Sequence, residues 1–314
     1  MRRREFVGGI AAGTVSACAQ QGSDSIDAAT FHGLRQFVEL SFGRVAFVER
    51  GEGPAALFLH GFPLSGFQWR DALVRLAPYR CCIAPDFLGL GFSEPAAGQS
   101  LAPAAQTEML AALLDALGIE SVDLVANDSG IAVAQLFAVK YPVRVRTMLL
   151  TNGDVEFDCP PAALLPVIEL GKAGRWVDEW IAPWVNDPDL ARSAEGIGGM
   201  CYSRTAFPTD DGIECYLAPL ASSAARKALA NGYAAALEHN ALAGIEAQLR
   251  GCAAPTRIIW GEADPIFSAR SPGYLDGLLP QSRGVRRLAQ AKLFFPEEYP
   301  DIIAEEARRL WGVT

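Results

Sequence analysis

The residues best suited to chemistry lie in the stretch 122–130, VDLVANDSG. An apolar run ends at Asn127, a carboxylate follows at Asp128, and a helix-like pattern starts almost at once with Ile131. Small residues stand two before and two after the carboxylate, Ala126 and Gly130. This spacing suits a strand-to-helix turn so tight that only small neighbours leave room for the central side chain to project. A nucleophile held there can attack an electrophilic carbon and carry it as a covalent intermediate. The central residue is Asp128 rather than a serine; Ser129 fits worse, because its flanking positions would be Asn127 and Ile131. The plainer alternative is an aspartate that only caps the following helix.

Such a turn needs a sheet beneath it. Strand-like runs cover Arg44–Arg50, Ala55–Leu59, Arg80–Pro85, Ser121–Asn127, Val145–Asn152, Arg257–Gly261 and Val285–Ala289. Amphipathic helical runs at Gly66–Ala77, Ala102–Leu117, Ser129–Tyr141 and Asp301–Trp311 lie between most of them. That alternation predicts an α/β fold with a mostly parallel sheet flanked by helices. It stops near Gly153 and resumes near Pro255, and the sequence between is helical, Trp-rich and broken by prolines. We therefore expect a core formed by 33–152 and 255–314, interrupted by a helical cap at 153–254. Within that cap Trp176, Trp180 and Trp184 have helical spacing, although Pro183 should break the helix. They read as lid-to-core packing or as an apolar substrate wall whose indole N–H groups can meet an anion.

Further motifs fall at the expected strand ends. His60-Gly61-Phe62-Pro63 follows Ala55–Leu59, and Asp86-Phe87-Leu88-Gly89 follows the next strand. Trp260-Gly261-Glu262-Ala263-Asp264-Pro265 ends the strand after the insert. In this combination and order the chain resembles the α/β-hydrolase fold family. More narrowly, it resembles the aspartate-nucleophile branch of haloalkane dehalogenases, epoxide hydrolases and fluoroacetate dehalogenase.

The resemblance implies roles for particular residues. Asp128 would attack a carbon bearing a halide or an epoxide oxygen, while the backbone N–H groups of Phe62 and Ser129 would form the oxyanion hole. Asp264 would be the acid that orients a histidine, with Asp154 as the alternative acid. That histidine, the water-activating base, is missing. The three histidines are His32, His60 and His239, and the segment after the last strand places Leu293 or Phe294 where the base should stand. His60 reads as structural; His239 and Lys292 are remote candidates. Ser129 also replaces the Trp that follows the nucleophile in most haloalkane dehalogenases and epoxide hydrolases, and the Arg of fluoroacetate dehalogenase. The HGFP turn is closer to that of epoxide hydrolases.

Three readings follow from these residues. One is a hydrolase of a small apolar halide, epoxide or ester. Another is a lyase or isomerase using Asp128 as acid and base. The last is a degenerate member that binds a small apolar ligand. None calls for a metal or cofactor, and no CxxC spacing occurs.

Composition sets the outer bounds. The chain has 314 residues, 50% hydrophobic, with a net charge of −9, which disfavours nucleic acid as a partner. Arg3-Arg4 precede a short apolar stretch, and Val15-Ser16-Ala17-Cys18 resembles a lipobox. We expect residues 1–18 to be a twin-arginine, lipoprotein-like signal with a lipid anchor at Cys18. Residues 19–32 would then be a polar tether, and the protein would be exported to the bacterial cell envelope. The other six cysteines read as buried thiols.

Overall fold

The computed structural model describes residues 25–313, so the expected signal and Cys18 lie outside the described residues. The strands are β1 (Arg35–Leu40), β2 (Gly43–Arg50), β3 (Ala55–Leu59), β4 (Cys81–Pro85), β5 (Glu94–Pro95), β6 (Val122–Asp128), β7 (Val145–Gly153), β8 (Thr256–Gly261) and β9 (Ser282–Leu288). They form one sheet in the order β1-β2-β4-β3-β6-β7-β8-β9, with β5 on the flank of β2. Pairing is parallel from β4 through β9 and antiparallel at the β1–β2–β4 edge. The central strands β3 and β6 are buried along their whole length. Helices cover both faces of such a sheet, so its central strands read as continuous apolar runs. The carboxyl ends of β3, β6, β7 and β8 share one edge of the sheet, the place where open α/β sheets receive ligands.

The expected tether ends sooner than its polar composition suggests. Asp27 accepts a hydrogen bond from Thr30 N at 2.8 Å and caps the helix Ala28–Leu34. Phe31 on that helix is buried, and its ring meets Phe67 edge-on at 5.1 Å. The folded core therefore begins at Ala28, before the expected boundary at 33, because one aromatic anchor outweighs the polar residues around it.

Between β7 and β8 the chain is helical and, among the described residues, without a named strand. Pro183 does not break the Trp-bearing helix there. The turn Val177–Ile181 widens so that Ala182 N donates to Val177 O, and Ala182–Asn186 continues the helix beyond it. A widened turn absorbs the missing proline donor without a sharp kink. Buried polar ties fix this insert to the core. Arg70 Nη1 donates to Glu297 Oε1 at 2.6 Å, and the Tyr202 hydroxyl of the insert donates to Glu297 Oε2 at 2.7 Å. Arg226 of the insert donates to the Gly91 carbonyl at 2.6 Å. The six described cysteines are free thiols. No helix among the described residues is long and apolar enough to cross a membrane.

Candidate active site

Strand β6 delivers Asp128 into a backbone conformation with φ 55° and ψ −128°, and Asp128 is the one non-glycine residue with positive φ among the described residues. Holding an aspartate there is strained, so the surroundings must enforce it. They do so by close approach. A Cβ at position 130 would stand 2.6 Å from Leu59 O, and one at 153 would stand 2.3 Å from Asp128 O. Gly130 and Gly153 are therefore needed for the turn to pass under β3 and beside β7.

The carboxylate itself is anchored. Its Oδ2 accepts from Phe62 N at 2.6 Å, and the carboxyl also accepts from the backbone N–H of Ser129. They are the two N–H groups that the resemblance names for an oxyanion hole. Burial raises the Asp128 pKa to about 7, against the opposing pull of the two N–H groups and with a small further push from Asp264.

The cavity above Asp128 holds about 140 Å³ and is mostly apolar, walled by Phe62, Trp176, Trp180, Trp184, Leu293 and Phe294. The Trp176 ring packs on Phe62 at 4.9 Å, and its buried Nε1 has no hydrogen-bond partner in the protein.

The two expected acids fall in different places. Asp154 lines the cavity. It stands one residue beyond Gly153, which pairs in register with Asp128. Burial and the Asp128 charge push its carboxyl well above the usual range, partly offset by the Cys159 thiol that donates to it. Asp264 is set back from the cavity wall. Its Oδ2 accepts from Asn152 Nδ2 at 2.7 Å, and its Oδ1 accepts from Ile266 N at 2.8 Å. Burial raises its pKa to about 6 against those hydrogen bonds. The residue favoured from the sequence as the orienting acid is thus held within its own turn, and the alternative faces the cavity.

Where the base would stand there is a ring. Phe294 lines the cavity, and its Cε1 and the Asp128 carboxylate flank the same point, 3.0 Å and 2.8 Å from where a Cβ on Gly61 would lie. The ring also packs against Tyr202 at 5.5 Å. The loop carrying it is fixed by Phe294 N donating to Cys201 O at 2.9 Å and by Asn127 Nδ2 donating to Leu293 O at 3.0 Å. Asn127, beside the nucleophile, was not singled out in the sequence, because an asparagine inside an apolar strand shows no partner until the fold is closed. Asn152, whose Oδ1 accepts from Gly261 N at 2.7 Å, escaped notice for the same reason.

The remaining candidate bases are engaged or peripheral. His60 is fully buried; its Nε2 accepts from Phe87 N at 3.0 Å and its Nδ1 donates to Gly61 O at 2.8 Å. That is a neutral structural imidazole. Lys292 donates to the Gly199 carbonyl of the insert. His239 lies at the exposed rim of the cavity. His32 sits on the first helix, near Cys215.

Comparison with known proteins agrees with this architecture. The family model of the alpha/beta hydrolase fold matches residues 54–193. A haloalkane dehalogenase of Mesorhizobium japonicum is 43% identical over 198 residues, 58% of either chain. Haloalkane dehalogenase 2 of Mycobacterium bovis is 32% identical over 117 residues, 37% of this chain and 41% of the relative. The chain thus spans about half the length of these curated relatives. The solved epoxide hydrolase CorEH superposes with a TM-score of 0.72 over 88% of this chain and 98% of its own, at 19% identity, a likeness of fold. With its sheet order and these matches, the chain has the α/β-hydrolase fold and is similar to haloalkane dehalogenases and epoxide hydrolases.

Proposed function

We propose that the protein is a hydrolase-fold enzyme in which Asp128 attacks an electrophilic carbon of a small apolar substrate: a halide, an epoxide or an ester. With a halide or epoxide this gives an alkyl-enzyme ester. The observation that carries the reading is the seating of the Asp128 carboxyl, Oδ2 on the Phe62 N–H and the group also held by the Ser129 N–H, at the edge of an apolar cavity. That oxygen becomes the carbonyl of the ester, and the same N–H pair stabilises the oxyanion when water adds to it. The other oxygen is the nucleophile. The matched haloalkane dehalogenases and the epoxide hydrolase support this substrate range.

Because Phe294 cannot accept a proton, a substrate whose leaving group is a halide leaves the ester without a base to activate water. We expect incubation with 1-bromohexane to raise the intact mass by one hexyl group on the peptide containing Asp128. Asp128→Ala should abolish that adduct, and Ser129→Ala should keep its rate within about tenfold, since Ser129 acts through its backbone. The opposite order would make this a serine enzyme. Saturable binding of apolar probes with neither adduct nor turnover would make it a ligand-binding protein.

A further inference from the structure

Both places in the fold that could hold an orienting acid carry an aspartate, yet among the described residues no imidazole is hydrogen-bonded to Asp154, so it orients none. It is nevertheless buried, 6% exposed, and faces the cavity. Its main chain is fixed by Gln135 Nε2 donating to Asp154 O at 2.9 Å. Through the pairing of Asp128 with Gly153, it sits at the end of the strand next to the nucleophile's, and neighbouring strands run about 5 Å apart.

We propose that Asp154 is a second catalytic residue. It gives its proton to an oxygen leaving group as Asp128 attacks the adjacent carbon; then, as a carboxylate, it takes a proton from the water that hydrolyses the ester. This deepens the function proposed above and rests on it. The substrate class it selects is a small apolar epoxide.

Two carboxyls in one low-dielectric cavity cannot both ionise easily, and the pair divides the roles. Asp128, held by two N–H donors, ionises first; Asp154, pushed further up by burial and by the Asp128 charge, keeps its proton. The Cys159 thiol, Asp158 and the buried Tyr233 hydroxyl are the other titratable groups that face it. In the first step the Asp128–carbon bond forms, the epoxide carbon–oxygen bond breaks, and its electron pair takes the Asp154 proton. The products are a 2-hydroxyalkyl ester and an Asp154 carboxylate. In the second step water adds to the ester carbonyl while Asp154 takes one of its protons. The tetrahedral intermediate then collapses, and the proton of the new Asp128 carboxyl leaves with the diol. Both aspartates return to their starting states. A halide departs without a proton, so Asp154 stays neutral and cannot become the base. The same cavity is thus a catalyst for one leaving group and a trap for the other.

The test presents the full chain with 1,2-epoxyhexane and 1-bromohexane in parallel, reading diol by product analysis and adduct by intact mass. The wild type should release diol over many turnovers from the epoxide and accumulate a stable hexyl ester from the bromide. In Asp154→Asn, diol formation should fall by about 10²–10⁴, the usual worth of a positioned acid or base, while the hexyl adduct forms within a few-fold of the wild-type rate. That adduct also reports that the variant is folded. Should the variant not fold, the contrast between the two probes in the wild type still decides the matter. Equal losses on both probes, an undiminished diol rate, or turnover of the bromide as fast as the epoxide would overturn the role of Asp154 while leaving Asp128 as nucleophile. Failure of either probe to modify Asp128 or yield product in the wild type would overturn the nucleophile as well.

Discussion

The two sides of the cavity are built from opposite materials. On the β3–β6 side the chemistry is complete in outline: a strained aspartate, two N–H donors on its carboxyl, and glycines where the backbone passes close. On the β9 side the corresponding space is hydrocarbon, Leu293 and Phe294, held with no less care by Asn127 and the Cys201 carbonyl. The contrast teaches that the two half-reactions of such a site rest on separate supports. With a halide, whose departure takes no proton, attack needs the first side alone, and only hydrolysis draws on the second.

The most forceful way to break the contrast is to restore a base. Phe294→His should convert the trapped hexyl ester into turnover of 1-bromohexane, raising its hydrolysis by about 10²–10⁴. Release of 1-hexanol measures this. An adduct that persists unchanged would mean that the loop, and not the residue alone, departs from the needed geometry. Leu293→His is the neighbouring control and should gain less, because Phe294 is the ring that meets the carboxylate.

A second test sharpens the nucleophile side. Asp128 reacts as the carboxylate, and burial has moved its pKa to about 7. The rate of adduct formation with the bromide should therefore rise about tenfold per pH unit up to about pH 7 and level off above it. A profile already flat from pH 5 would show that the carboxyl is ionised despite its burial.

The smallest effect is on stability. The folded state holds the Asp128 proton more tightly than the unfolded chain, so this residue's contribution to stability falls as pH rises from about 4 to about 7. Asp128→Asn mimics the neutral carboxyl. It should melt above the wild type at pH 8, by a few degrees and up to about 4 kcal/mol, with the gap closing toward pH 4. Thermal melts at both pH values read this directly.

How much of this was legible beforehand depended on how far away each partner lay. The interior strands stood out as apolar runs, and the Ala126-x-Asp128-x-Gly130 spacing marked the turn, because both signals are local. Phe62 and Ser129 then followed from the resemblance. The edge strand β1, with its half-polar pattern, and the two-residue β5 carried no comparable signal. The anchoring of Phe31 was hidden in polar sequence, and the widened turn before Pro183 is a geometry that proline content alone does not reveal. The sequence favoured Asp264 over Asp154 as the orienting acid, without sight of the long-range bond that holds it. Asp264 is drawn into its turn by Asn152, a residue 112 positions away, and nothing near it in sequence announces that partner.

The ties between insert and core also decide how a ligand can come and go. Cys201, Tyr202 and Ser203 of the insert are bonded to the segment 294–298, the segment that carries Phe294. Lifting the insert there would drag the base-side wall with it and strip Glu297 from a buried ion pair, whose rupture costs about 3–5 kcal/mol. Traffic has an easier route where the cavity lining is already open to solvent, at Ala163, Leu164 and His239. Among the titratable residues that line the cavity His239 is the exposed one, so a molecule using that route passes its imidazole before reaching the buried carboxyls.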